Sequence, residues 1–314
     1  MAELAPIVFE IPGEVERPRS RGRGASNTVV PIDRARPEWL KVRLPTGPTY
    51  ENLRRLMRSK ELHTVCEEAH CPNMAECWGA GTATFMILGD TCTRSCGFCA
   101  VTTGRPGIVD RDEPARVGEA VAKMALGHAV VTSVNRDELA DGGAEIFAMT
   151  IREIRRQSPG TTVEVLIPDF LGRPEALDAV LDAAPEVLSH NVETVPRLYQ
   201  RVRPQARYER SLGVLARIAA HGHGIVCKTG IMVGLGETTD EVLDTMRDIA
   251  ARGTHVLTIG QYLRPSPMHL PIERYWAPDE FVALRDAGMT MGYRHVESGP
   301  LVRSSYHAER HVGV

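Results

Sequence analysis

No apolar run in this 314-residue chain approaches the roughly 18 residues that a membrane-crossing helix needs. Net charge is also scarce: 37 basic against 40 acidic residues leave a formal charge of −3, so no excess of one sign marks the chain as a nucleic-acid binder. The start of the chain lacks the basic-then-apolar order of a secretory signal. Met1 to Gly13 is broken by Pro6 and Pro12, and Glu3, Glu10, Glu14 and Glu16 are out of place in a mitochondrial leader. These absences point to the cytoplasm of a bacterium, with no membrane and no nucleic acid as partner. The 43% hydrophobic and 25% charged residues are ordinary for a soluble globular protein. The length suits one large α/β barrel with extensions, or two ordinary domains.

An even set of cysteines for disulfide pairing is also missing. There are seven, and six fall in two tight clusters between Cys66 and Cys99. In an intracellular chain such clusters read as metal ligands.

Residues 1–36 show neither helical nor strand periodicity. They hold four prolines and the stretch Arg17-Pro-Arg-Ser-Arg-Gly-Arg-Gly24, which reads as a solvated, disordered tail or, in the alternative, an anion contact. Helical spacing begins at Tyr50, Leu53, Leu56 and Met57, and residues 37–80 form an N-terminal extension around the first cysteine cluster. Strands and helices then alternate over 81–275. Strands are predicted at Ala83–Leu88, His128–Val134, Thr162–Ile167, Val187–Val192, Ile225–Val233 and His255–Leu263, with helices between them. Thr238 and Glu241 form a capping box for one of those helices. Residues 276–314 form a C-terminal extension.

Six strands with crossover helices imply a parallel sheet. A doubly wound open sheet is one solution. A partial (β/α)6 TIM-like barrel is favoured, because polar residues gather just past the strand ends, where barrel enzymes place their chemistry: Asn135, Arg136 and Asp137, then Asp169, Asn191, Glu193, Glu237, Gln261 and Arg264.

After the first strand comes Cys92-Thr-Arg-Ser-Cys96-Gly-Phe-Cys99. Three thiolates on one loop can hold three irons of a 4Fe-4S cube and leave the fourth iron open, a mark of catalysis. Zinc is the alternative, but a structural zinc wants a fourth local ligand, and no His or Cys lies in the twenty residues after Cys99. A second triad, Cys66-x4-Cys71-x5-Cys77, precedes it and also lacks a fourth cysteine; zinc completed by His63 or His70 stays open there. The remaining cysteine, Cys227, lies in an apolar strand and reads as a buried small hydrophobe. His190, beside Asn191, reads as a satisfied core histidine.

The Cys-x3-Cys-x2-Cys spacing, the aromatic Phe98 before its last cysteine and the position after a first βα strand resemble the radical S-adenosylmethionine (SAM) superfamily. That resemblance implies that SAM chelates the open iron and is split to a 5′-deoxyadenosyl radical. With Cys-x4-Cys-x5-Cys upstream and Arg303-Ser-Ser-Tyr306 near the C-terminus, in that order, the chain resembles the lipoyl synthase family from about Pro37 to Tyr306. Further matching stretches are His63-Thr-Val-Cys66, Asn191-Val-Glu-Thr194, Gly234-Leu-Gly-Glu237 and Gln261-Tyr-Leu-Arg-Pro-Ser266.

The family resemblance implies two 4Fe-4S clusters, one on Cys92, Cys96 and Cys99, and an auxiliary one on Cys66, Cys71 and Cys77 with Ser305, or less readily Ser304, as fourth ligand. A hard serine oxygen suits a cluster meant to be taken apart. The reaction so implied is insertion of two sulfurs from the auxiliary cluster at carbons 6 and 8 of an octanoyl chain on a carrier lysine. The implied partners are octanoylated lipoyl carrier proteins (the glycine cleavage H protein and 2-oxoacid dehydrogenase acyltransferase subunits), a flavodoxin or ferredoxin, and an iron–sulfur cluster carrier. Gly142 and Gly143 stand where the superfamily meets the methionine amino group, although a helix-start turn explains them equally. Asn191 and Glu193 are expected at the SAM carboxylate and ribose, or alternatively in an internal barrel network. Arg303 would orient the serine or pair with a carboxylate near the cluster. A methylthiotransferase would need further domains, biotin synthase has other auxiliary ligands, and a non-catalytic metal carrier should have closed ligand sets.

Overall fold

The computed structural model describes residues 36–40, 55, 57–60, 62–65, 73, 77, 82–221 and 224–313. Among these residues ten strands form in chain order: β1 (His63–Thr64), β2 (Thr82–Ile87), β3 (Thr91–Cys92), β4 (Thr102–Thr103), β5 (His128–Ser133), β6 (Thr162–Leu166), β7 (Val187–Ser189), β8 (Val226–Val233), β9 (Val256–Gln261) and β10 (His295–Gly299). Eight of them make one sheet in the order β1-β2-β5-β6-β7-β8-β9-β10. β1 is antiparallel to β2, and every other neighbouring pair is parallel. β3 and β4 pair separately, beside the cysteine loop.

Among the described residues seven α-helices are placed: α1 (Glu113–Met124), α2 (Ala144–Gln157), α3 (Pro174–Leu181), α4 (Tyr199–Val202), α5 (Tyr208–His221), α6 (Thr239–Ala250) and α7 (Pro278–Thr290). All six expected strands form. Their apolar runs are buried on both faces, as a parallel sheet covered by crossover helices requires. The alternation of strand and helix is that of a partial α/β barrel. The capping box of α6 is present: the Thr238 hydroxyl accepts from the Glu241 amide at 3.2 Å, and the Glu241 carboxylate accepts from the Thr238 amide at 2.8 Å.

The sheet runs one strand further than expected at each edge, with β1 beside β2 and β10 beside β9. α7 begins with Pro278 in its first turn, and the Glu280 carboxylate accepts from the Ala277 amide at 2.8 Å. β10 then pairs with β9 from His295↔Val256 to Gly299↔Gly260. The C-terminal residues turn back toward the strand starts. Val312 packs on Val187, Val226 and Val256, and the Glu309 carboxylate accepts from the Thr82 hydroxyl at 3.4 Å. Inside the sheet at this end, the Lys228 ammonium donates to both oxygens of Glu164 at 2.8 and 2.9 Å, fully out of solvent. A buried pair of this kind is tolerated only with such close geometry.

Candidate active site

Cys92, Cys96 and Cys99 lie on the loop that leaves β3, past the C-terminal end of β2. Backbone bonds hold this loop on several sides. The Gly97 amide donates to Val202 O at 2.9 Å, the Leu270 amide to Gly97 O at 3.0 Å, and the Gly104 amide to Cys92 O at 2.9 Å. The His269 ring meets Cys99 O at 2.9 Å. A Cβ on Gly97 would press to 2.8 Å from the Leu270 side chain, so glycine is what admits the 264–272 segment over the loop. Cys92 Sγ accepts from the amides of Arg94 and Asn135 at 3.4 and 3.3 Å. Phe98 packs its ring against the main core.

Beneath the loop runs an ion network. Arg94 donates to both oxygens of Asp137 at 2.7 and 2.8 Å and to Asp169 at 2.6 Å. Arg210 reaches the other oxygen of Asp169 at 3.1 Å. Burial opposes the charge on Asp169, but the Arg94 contacts outweigh it and hold this carboxyl well below the usual carboxylate range. Asp137 and Asp169 follow β5 and β6, so the network fastens the loop to two strand ends at once. Both carboxylates stand near strand ends in the sequence, but no local pattern pairs them with Arg94, whose partners stand 43 and 75 residues away.

The thiols share a half-buried, electrostatically crowded space. Burial foremost, then Cys96, Cys92 and Glu193, push the Cys99 thiol up to about 12, and burial, Glu193 and Cys92 push Cys96 up as well. Three crowded thiolates are stable only around a cation. This donor set therefore fits an iron–sulfur cube, with the loop supplying three corners and no described fourth thiol beside it.

Asn191 and Glu193 come together, although not by strand alternation. β7 ends at Ser189, and Glu193 adopts a left-handed φ of 71°. The Asn191 amide donates to Glu193 Oε1 at 3.1 Å, and Glu193 is tied to β8 through Gly230 O at 2.9 Å and the Met232 amide at 2.8 Å. Asn191 Oδ1 is buried and unpartnered among the described residues, as is Asn135 Oδ1. The buried Arg203, which sequence reading did not single out, donates to Asn191 O at 2.8 Å and to Tyr199 Oη at 3.2 Å. Its Nε is unpartnered among the described residues, and its charge acts on Cys96 and Glu193. Inward-facing polar atoms without partners next to three thiols fit a polar ligand with amino, carboxylate and hydroxyl groups, as SAM has.

Gly142 and Gly143 begin α2 with φ values of 63° and 91°, conformations that favour glycine. The Asp141 carboxylate accepts from the amides of Gly143 and Glu145 at 2.9 and 2.8 Å, and a Cβ on Gly143 would collide with Leu88. The two glycines thus form a helix-start turn. The Glu237 carboxylate of Gly234-Leu-Gly-Glu237 receives the Leu235 amide at 2.9 Å and the Trp276 indole at 3.0 Å, which makes that stretch a braced turn. His190 is satisfied by Ile167 O at 2.9 Å and Ser211 Oγ at 3.0 Å. Burial, with the Arg203 charge, pushes it down to about 4. Cys227 is buried with its thiol pushed up to about 12 by burial, as a packing residue should be.

Cys66 and Cys71 lie outside the described residues. Cys77 is described, and its amide donates to Asn73 O at 3.0 Å. The Asn73 side chain in turn donates to Leu301 O at 2.7 Å, across 228 residues of sequence. This bond joins the first cysteine segment to the stretch that leads into Arg303, Ser304 and Ser305. That stretch crosses β9 at Gly260, where a Cβ would collide with the Val302 carbonyl and come within 3.3 Å of Arg303 Nη1. Arg303 Nη1 donates to Val302 O at 2.6 Å, and the Tyr306 amide closes a turn on Arg303 O at 2.9 Å. No described residue hydrogen-bonds the hydroxyl of Ser304 or Ser305.

Two family models match the chain: the radical SAM superfamily over residues 86–249, and the N-terminal domain of lipoyl synthase over residues 27–71. The second match starts inside the stretch read from sequence as a tail. The chain is 60% identical over 273 residues to a lipoyl synthase of Rubrobacter xylanophilus, covering 87% of this chain and 85% of that one. It is 59% identical to a lipoyl synthase of Koribacter versatilis, covering 87% and 90%. Among solved structures, methylornithine synthase shares the fold with a TM-score of 0.52 at 12% identity, covering 79% of this chain and 77% of that one.

Proposed function

The chain belongs to the lipoyl synthase family, and from that premise we propose that its two cysteine triads divide one reaction between them. The protein is a radical SAM enzyme that inserts two sulfur atoms, at carbons 6 and 8, into an octanoyl-lysine carried by a lipoyl carrier protein. Bound at the two triads, 4Fe-4S clusters with SAM supply the adenosyl radical at one site and the sulfur at the other. Cys92, Cys96 and Cys99 hold the radical-generating cluster, and the Arg94 network fixes their loop. Asn191, Glu193 and Arg203 orient SAM beside it, with Arg203 countering the negative charge that gathers there. Phe98 shields the loop from the core side.

Cys66, Cys71 and Cys77 hold the auxiliary cluster, with Ser305 as its displaceable fourth ligand and Arg303 as the residue that positions the serine. One observation supports this division: the Asn73 side chain, four residues before Cys77, donates to the carbonyl of Leu301, four residues before Ser305. The finer partners follow from the chemistry. Electrons come from a flavodoxin or ferredoxin, and the consumed cluster is rebuilt by an iron–sulfur carrier. The octanoyl substrates sit on the glycine cleavage H protein and on 2-oxoacid dehydrogenase acyltransferase subunits, in the cytoplasm. No helix among the described residues is long and apolar enough to cross a membrane.

The test is mass spectrometry of an octanoyl-lysine peptide after anaerobic incubation with reconstituted enzyme, SAM and dithionite. A product carrying two sulfurs, with hydrogen lost at carbons 6 and 8, is expected. SAM cleavage with an unchanged peptide would overturn the sulfur-insertion assignment while leaving the radical SAM chemistry intact.

A further inference from the structure

The C-terminal tail carries more chemistry than its serines. His295 and Glu297 face the same side of β10, two residues apart, and His311 arrives from the short 3-10 turn at Ala308–His311. One ligand atom from each of these three side chains lies within 4.8 Å of the others. His295 Nε2 stands 3.3 Å from Glu297 Oε2, which is about the edge of a tetrahedron with ligand bonds of roughly 2.0 Å. His307 Nδ1 approaches the same carboxylate oxygen at 3.9 Å. The rings of His295 and His311 lie 5.1 Å apart, tilted by 46°.

His311 is the informative member. It is fully buried, yet neither ring nitrogen has a hydrogen-bond partner among the described residues. A buried imidazole left so is costly and calls for a ligand. A neutral ring in that setting keeps one nitrogen lone pair unused and available to a ligand. The nearby Lys228 is neutralised by Glu164, which leaves the Glu297 carboxylate to balance an added cation.

We propose that His295, Glu297 and His311 bind a divalent transition-metal ion of the zinc class, with His307 closing the coordination sphere. Two or three imidazoles and one carboxylate are a borderline-soft set that suits such an ion better than calcium or magnesium. The ligands bracket the serines, with His295 and Glu297 on β10 before them and His307 and His311 in the tail after them. A metal there would staple the tail to β10 and so fix the span that presents Ser305.

The test uses the full-length, cluster-loaded enzyme after removal of loose metal with a chelator and desalting. Zinc is then titrated anaerobically against a chromophoric competitor, with iron and sulfide counted before and after. One tight equivalent is expected, weakened at least tenfold in both Glu297→Gln and His295→Gln, with iron and sulfide unchanged. Zinc should raise the melting temperature of the parent and not of either variant. The same zinc affinity in parent and variants, no tight equivalent, or uptake matched by iron release in all three proteins would each overturn the proposal. In the last case the zinc would be sitting in the cluster sites.

Discussion

The loop that carries Cys92, Cys96 and Cys99 and the segment that carries Ser304 and Ser305 are held in different ways. The loop is bonded along its length to Asn135 just past β5, to α4 and to the 264–272 segment, and a buried arginine anchors it to two carboxylates. The serine segment is fixed at its ends, by Asn73 and Gly260 on one side and the tail anchors on the other, while its hydroxyls meet no described partner. The difference matches two kinds of cluster. A cluster that works repeatedly gains from rigid ligands, which pre-organise the site. A ligand that must leave in each turnover gains from having few bonds to break.

Four changes would break or sharpen this contrast. The largest effect is expected from Cys92→Ala, which should leave no detectable 5′-deoxyadenosine on chromatography of a reaction with SAM and dithionite. Next comes Arg94→Met. It strands Asp169 and Asp137 beneath the loop, and breaking a buried pair costs about 3–5 kcal/mol. The measured outcome should be a lower melting temperature together with loss of iron from the Cys92–Cys99 site.

Acid should act on the same layer. His190 is held neutral near 4 in the fold and takes up a proton near 6.5 when unfolded. Its contribution is therefore complete above about pH 6.5 and is lost as pH falls toward 4. The shift corresponds to roughly 3 kcal/mol. Denaturant unfolding at several pH values should show a shallower acid dependence in His190→Gln than in the parent; equal slopes would contradict it. The smallest effect belongs to Asn73→Ala. Loss of one side-chain hydrogen bond costs about 1–2 kcal/mol, enough for roughly a tenfold drop in sulfur insertion. SAM cleavage should stay at the parental rate.

What the sequence made legible follows the physics of each region. The six expected strands are short apolar runs bounded by turns, and the capping box at Thr238 is a local signal, so both could be read directly. β10 escaped because His-Val-Glu-Ser-Gly is mostly polar and Val296 is its one buried residue, too little for an apolar period. The two cysteine triads stand out in the sequence because thiols offered from one loop are close in sequence. Arg94 with Asp169, Arg203 with Asn191 O, and Asn73 with Leu301 O were not, since only the folded sheet brings those positions together. Asn191 and Glu193 were paired correctly but for an incomplete reason. Strand alternation stops at Ser189, and a left-handed residue completes the approach.

The division of labour between the triads is tested most directly by assaying Cys71→Ala beside Cys92→Ala for both 5′-deoxyadenosine and sulfur-bearing peptide. Cys71→Ala should cleave SAM at a rate near the parent's and release no product with inserted sulfur, while Cys92→Ala should do neither. Loss of SAM cleavage in a Cys71→Ala protein that keeps its Cys92–Cys99 cluster would contradict the account.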